Sequence, residues 1–78
     1  MNIQDLFLNQ LRKERVNVVV AMTNGEKIVG TIKAFDNFSV LLQTSTEQVL
    51  IYKHALSKII PPKEFSFKTG EKALKRTS

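Results

Sequence analysis

Seventy-eight residues with no cysteine and a single histidine exclude a disulfide framework and a zinc site built from this chain alone. A chain this short buries only about 60–65% of its unfolded surface, so one small domain is all it forms, and oligomerisation is the remaining route to stability. The net charge of +5 points to a polyanionic partner, but residues 1–62 carry only +2, from seven Lys/Arg and five Asp/Glu, while residues 63–78 carry +3.

Residues 4–15 read as a helix. Asp5 is placed to cap its start, and Phe7, Leu8 and Leu11 form an apolar stripe at three- and four-residue spacing. Arg12, Lys13 and Arg15 near its end suit either the helix dipole or a bound anion. From Val16 to Met22 the chain turns β-branched and apolar, and Asn24-Gly25 follows as a hairpin signal, because both residues tolerate positive φ. The return strand runs from Glu26 to Phe35 and contains Gly30, the mark of a sharp bend. Asp36-Asn37 makes a turn. Phe38 to Gln43 is a third strand, Gln48 to Tyr52 a fourth and Lys58-Ile59-Ile60 a short fifth, stopped by Pro61-Pro62. The expectation is a mainly β fold: an N-terminal helix on a five-stranded, strongly bent antiparallel barrel.

Residues 63–78 are poor in apolar side chains and mixed in charge, which predicts a basic, flexible tail beyond a domain spanning 1–62. Phe65 and Phe67 alternate, and a brief strand extension is the other reading. An apolar fifth strand left at a sheet edge recruits another chain. If the fourth strand of a neighbour covers it, the contact is head-to-tail and repetition closes a ring. The first residues have no basic, apolar leader, and no stretch approaches the ~20 apolar residues of a membrane span, so a soluble, cytoplasmic chain is expected.

Tyr52-Lys53-His54-Ala55 places an aromatic ring, an ammonium and the histidine side by side where the fourth strand ends. Repeated around an assembly, such a trio suits a flat polar ring carrying a phosphate. Taken alone, the tetrapeptide reads more readily as an ordinary solvated strand end.

The helix, Asn24-Gly25, Gly30, Phe35-Asp36-Asn37-Phe38, Leu41-Leu42 and Tyr52-Lys53-His54-Ala55, in that order, closely resemble bacterial Hfq, the Sm-like (LSm) RNA chaperone family, over roughly residues 3–61. The resemblance implies an Sm fold assembled as a hexameric ring. Its helix-bearing (proximal) face would grip uridine-rich RNA through Gln4, Asn37, Phe38, Lys53 and His54. Stacking on Phe38 and hydrogen bonds from the polar side chains are the chemistry such a site needs. Without the resemblance, Phe38 reads as a core aromatic, since it shares its alternation with Val40 and Leu42, and Gln4 as a helix-start residue.

On the rim, Asn9, Arg12, Lys13 and Arg15 match a patch that in many Gram-negative members contacts small RNAs and helps strands anneal, with Lys13 replacing an arginine found in some relatives. On the opposite (distal) face the chain departs from members that bind A-rich RNA: Ala21 stands where they carry an aromatic, Glu26 where they carry an apolar residue, and Val29 in place of a common glutamine. Any A-rich binding there would use another mode, with Met22, Thr23 and Lys27 as the local candidates. The basic tail also differs from the acidic tip of some relatives, and it is expected to aid RNA binding.

The implied function is post-transcriptional regulation, including stress responses, by pairing U-rich small RNAs with mRNAs. It needs no cofactor, no metal, no membrane and no small-molecule substrate. The alternative is an Sm-like ring that gathers protein partners with incidental RNA affinity. A ribonuclease using His54 as base is disfavoured because the chain holds no second histidine to act as its partner, and no enzyme activity is expected.

Overall fold

The computed structural model describes residues 2–67. Helix α1 spans Ile3–Lys13 and starts one turn earlier than Asp5 suggested. The cap is Asn2, whose side-chain oxygen accepts the Asp5 N–H at 2.8 Å. Asp5 therefore sits at the third helical position, where its charge complements the helix dipole. At the other end the Arg15 N–H donates to the Arg12 carbonyl (3.2 Å) and the Val16 N–H to the Leu11 carbonyl (3.1 Å). This double closure requires a left-handed residue, usually glycine. Here it is Arg15, at φ 52°, at a cost of about 1–2 kcal/mol.

Five strands follow: β1 Val18–Met22, β2 Lys27–Phe35, β3 Ser39–Gln43, β4 Gln48–Tyr52 and β5 Leu56–Ile60. They form one antiparallel sheet in the order β4-β3-β2-β1-β5. β1 begins two residues later than its apolar run because Val16 is used in closing the helix. β5 is longer than the three residues expected, and it leaves β4 through a single 3₁₀ turn, Lys53–Ala55. The Asn24-Gly25 hairpin forms as its residues demand. Gly25 adopts φ 95°, the Asn24 side chain accepts the Glu26 N–H, and the Met22 N–H closes on the Glu26 carbonyl at 2.8 Å.

The bend in β2 lies at Gly30. Up to that residue β2 pairs with β1 (Val18 opposite Gly30), and from Thr31 onward it pairs with β3. The expected barrel is left open within one chain, because five short strands bring β4 and β5 to opposite borders of the sheet, with no strand between them.

The concave side of the sheet packs on the helix. Leu8 and Leu11 meet Val18, Val20, Ile32, Val40, Leu42 and Ile51 in one buried cluster, with Phe7 at its margin. Past Pro62 the chain turns back on the helix. Phe65 and Phe67 meet the Phe7 ring edge-on at 5.8 and 5.2 Å, and Gln10 donates to the Ser66 carbonyl at 2.8 Å. The described part of the segment after residue 62 thus packs on α1 and adds no strand. The rest of the expected tail, 68–78, lies outside the described residues.

Candidate nucleic-acid interface

The turn between β2 and β3 is built by one carboxylate. Asp36 Oδ1 accepts the Phe38 N–H (2.9 Å), the Ser39 N–H (2.8 Å) and the Ser39 hydroxyl (2.9 Å). These contacts, the Phe38 N–H foremost, together with the Lys53 charge, hold the Asp36 carboxyl below its ordinary value. They also fix where the next ring goes. Phe38 lies just before β3 and is 76% exposed, whereas Val40 and Leu42, which share its alternation, are fully buried. The core reading of Phe38 is thereby excluded.

Lys53 follows β4 and extends the ladder by one bond, donating its N–H to the Phe38 carbonyl at 2.7 Å. Its ammonium reaches Gln4 Oε1 on the first turn of α1 (3.3 Å) and stands 5.8 Å from the centre of the Phe35 ring. A helix start, a turn and a strand end, remote in sequence, so bring Gln4, Phe38 and Lys53 together. Beside them a cleft of about 220 Å³ is lined by Gln4, Lys53, Leu56 and Ser57 among others. His54 is exposed and stacks on Tyr52, with ring centres 6.0 Å apart and planes 14° from parallel. Asn37 is exposed at the tip of the Asp36 turn.

Gln4 and the Lys53 ammonium supply an amide edge and a cation, and Phe38, joined to Lys53 through the main chain, supplies a bare aromatic face. That is a set of contacts suited to an unstacked base and its phosphate. Among the described residues no group of three or more His, Cys, Asp or Glu side chains could hold a metal ion, and no helix is long and apolar enough to cross a membrane.

Of the rim candidates, Asn9 and Arg12 touch, the Arg12 guanidinium donating to Asn9 Oδ1 at 2.6 Å. Arg12, Lys13 and Arg15 border one groove between α1 and β2. The distal candidates do not converge. Met22 packs against the core, and Thr23 is exposed with its N–H donating to the Ala55 carbonyl. Lys27 stands across from Ala21, which is itself only 7% exposed between Lys27 and Lys58. The sequence marks Phe35 only as part of a motif, although its ring centre lies 5.8 Å from the Lys53 ammonium.

The role of Asp36 has a pH signature. A carboxyl whose value is lowered by folding stabilises the native state above the unfolded value, and that contribution is lost as pH falls through the folded value. Asp36→Asn keeps the acceptor oxygen and removes the ionisation. Its urea midpoint should therefore fall less steeply than that of the wild type as pH drops through and below the ordinary carboxylate range. Parallel midpoint curves for the two proteins would show that the turn owes nothing to the charge.

Comparison with known proteins agrees with this geometry. A family model described as Hfq protein matches residues 3–66. The RNA-binding protein Hfq of Caldanaerobacter subterraneus subsp. tengcongensis is 53% identical over 73 residues, covering 92% of this chain and 85% of that protein. The RNA-binding protein Hfq of Clostridium kluyveri is 52% identical over 68 residues, covering 87% and 83%. A 1.55 Å crystal structure of the pleiotropic translational regulator Hfq superposes with a TM-score of 0.76 at 36% identity, covering 78% of this chain and 92% of that one. With the same helix, the same bent sheet and a family match across nearly all the described residues, the chain belongs to the Hfq family.

Proposed function

We propose that the chain is an RNA chaperone that binds U-rich RNA, mainly small regulatory RNAs, and promotes their pairing with mRNAs. Uridines are held on the helix-bearing face by Gln4, Asn37, Phe38, Lys53 and His54, and strands meet on the rim at Asn9, Arg12, Lys13 and Arg15. The observation that carries this reading is the exposure of Phe38, 76%, beside a cation bonded to Gln4. A large aromatic held in water by a purpose-built turn serves no packing role and provides a stacking surface that every base can use.

Six such patches on a hexameric ring would act together. Support for the ring comes from the two unpaired borders of the sheet, β4 and β5, which are complementary edges for a head-to-tail contact.

Phe38→Ala should weaken binding of a U-rich oligonucleotide by about 1–3 kcal/mol per stacked base. Its thermal stability should change little, since the ring is outside the core. Fluorescence anisotropy alongside a melting curve measures both. Unaltered affinity would favour a ring that gathers protein partners and binds RNA only incidentally.

A further inference from the structure

Lys33 sits at an irregularity in β2. Ile32 pairs with Leu42 and Ala34 with Leu41, so Lys33 is an extra residue with no partner on β3. A bulge of this kind frees its side chain from the strict in-and-out alternation of a strand. The strand is also uncovered here. β2 leaves β1 at Gly30, so the border of residues 31–35 that faces away from β3 has no strand on it, and α1 packs on β2 instead.

Along that border runs a groove of about 590 Å³ lined by Arg12, Lys13, Arg15, Thr31, Ile32 and Lys33. An adjoining depression of about 360 Å³ is lined by Asn9, Arg12, Lys33, Ala34 and Phe35. Arg12 and Lys33 belong to both. None of the described residues lining either one is acidic. Arg12 is steadied by Asn9, and Lys33 reaches the same groove from β2, so cations from two separate elements border one channel.

We propose that Lys33 is an RNA-contacting residue, and that the groove between α1 and β2 is a track for the phosphodiester backbone gripped from the end of the helix by Arg12, Lys13 and, just beyond it, Arg15, and from the strand by Lys33. This rests on the RNA-binding reading given above and extends it to a residue outside the helix. Four cations without a carboxylate suit a ligand bearing one negative charge per repeating unit. Contacts to phosphate alone carry no sequence preference, which is what strand annealing needs.

The test uses the full chain, with Lys33→Ala, Lys33→Glu and Lys33→Arg beside the wild type. Three readouts are taken: affinity for a short U-rich oligonucleotide, affinity for longer RNAs across a salt series, and the annealing rate of two complementary RNAs. The expected result is that affinity for the short oligonucleotide, held on the helix-bearing face, changes far less than annealing does. Annealing should be several-fold slower for Lys33→Ala, about tenfold or more slower for Lys33→Glu, and restored by Lys33→Arg. For Lys33→Ala the slope of log K for the longer RNAs against log salt should lose about 0.7–0.9, one phosphate contact. Wild-type annealing and salt slope in the Ala and Glu variants would overturn the role of Lys33 while leaving the RNA chaperone reading intact. A wild-type protein with no affinity for either RNA would overturn both.

Discussion

Gly30→Ala is expected to yield little or no folded protein. A methyl group built on Gly30 would fall within clash distance of the Gln43 carbonyl oxygen and 3.1 Å from the Leu42 side chain. The carbonyl belongs to β3 at the point where Thr31 pairs with Gln43, so it cannot rotate aside like a side chain. Relief requires parting β2 from β3 where the sheet changes partners, beside the buried Leu42 and Ile32. Overpacking of a core usually costs 1–3 kcal/mol, and about 3 kcal/mol or more is expected where the obstructing atom is backbone. A domain of this size has few kcal/mol in reserve. Far-UV circular dichroism and a urea titration measure the loss. A Gly30→Ala protein with a wild-type midpoint would mean that the bend accommodates a side chain.

Leu50→Pro is expected to abolish the proposed ring and with it most of the proposed RNA affinity. The Lys53 N–H donates to the Phe38 carbonyl and the Thr44 N–H to the Glu47 carbonyl. By the alternation of an antiparallel ladder, Ile51 and Val49 then face β3, while the backbone groups of Gln48, Leu50 and Tyr52 point outward from the sheet. Proline at residue 50 leaves the β3–β4 ladder its bonds and removes one donor from the free border, where proline is tolerated in natural sheets. Leu50 is 54% exposed in the single chain, so its own side chain contributes little to the protomer core. If the border of β4 receives β5 of a neighbour, the variant should appear as monomers in native mass spectrometry. U-rich affinity should fall by about 10²–10⁴-fold, because linked sites on a ring give way to isolated ones. A Leu50→Pro protein that keeps the mass of the wild-type assembly would place the contact between protomers elsewhere.

The parts of the fold legible in the sequence are those that neighbouring residues decide. The Asn24-Gly25 hairpin, the bend at Gly30 and the limits of β4 all sit where turn chemistry and β-branched runs put them. Other limits depend on partners that the local pattern does not choose. Asn2 and Asp5 are equally good caps, and Asn2 holds the helix start. Val16 stays out of β1 because its N–H reaches back to the Leu11 carbonyl. Past Pro62, Phe65 and Phe67 pack edge-on against Phe7 although the segment is mostly polar.

The order of elements, the apolar stripe of α1 and the family resemblance are local properties, because periodicity and turn residues act within a few positions. That Phe38 stands in water while Val40 and Leu42 are buried is a product of folding, since three bonds to Asp36 set the ring outside before the alternation of β3 begins. Folding also makes the contact between Gln4 and Lys53, 49 residues apart, and brings Lys33 alongside the cations at the end of the helix. That position follows from a register shift between β2 and β3, and a register exists only once both strands have paired.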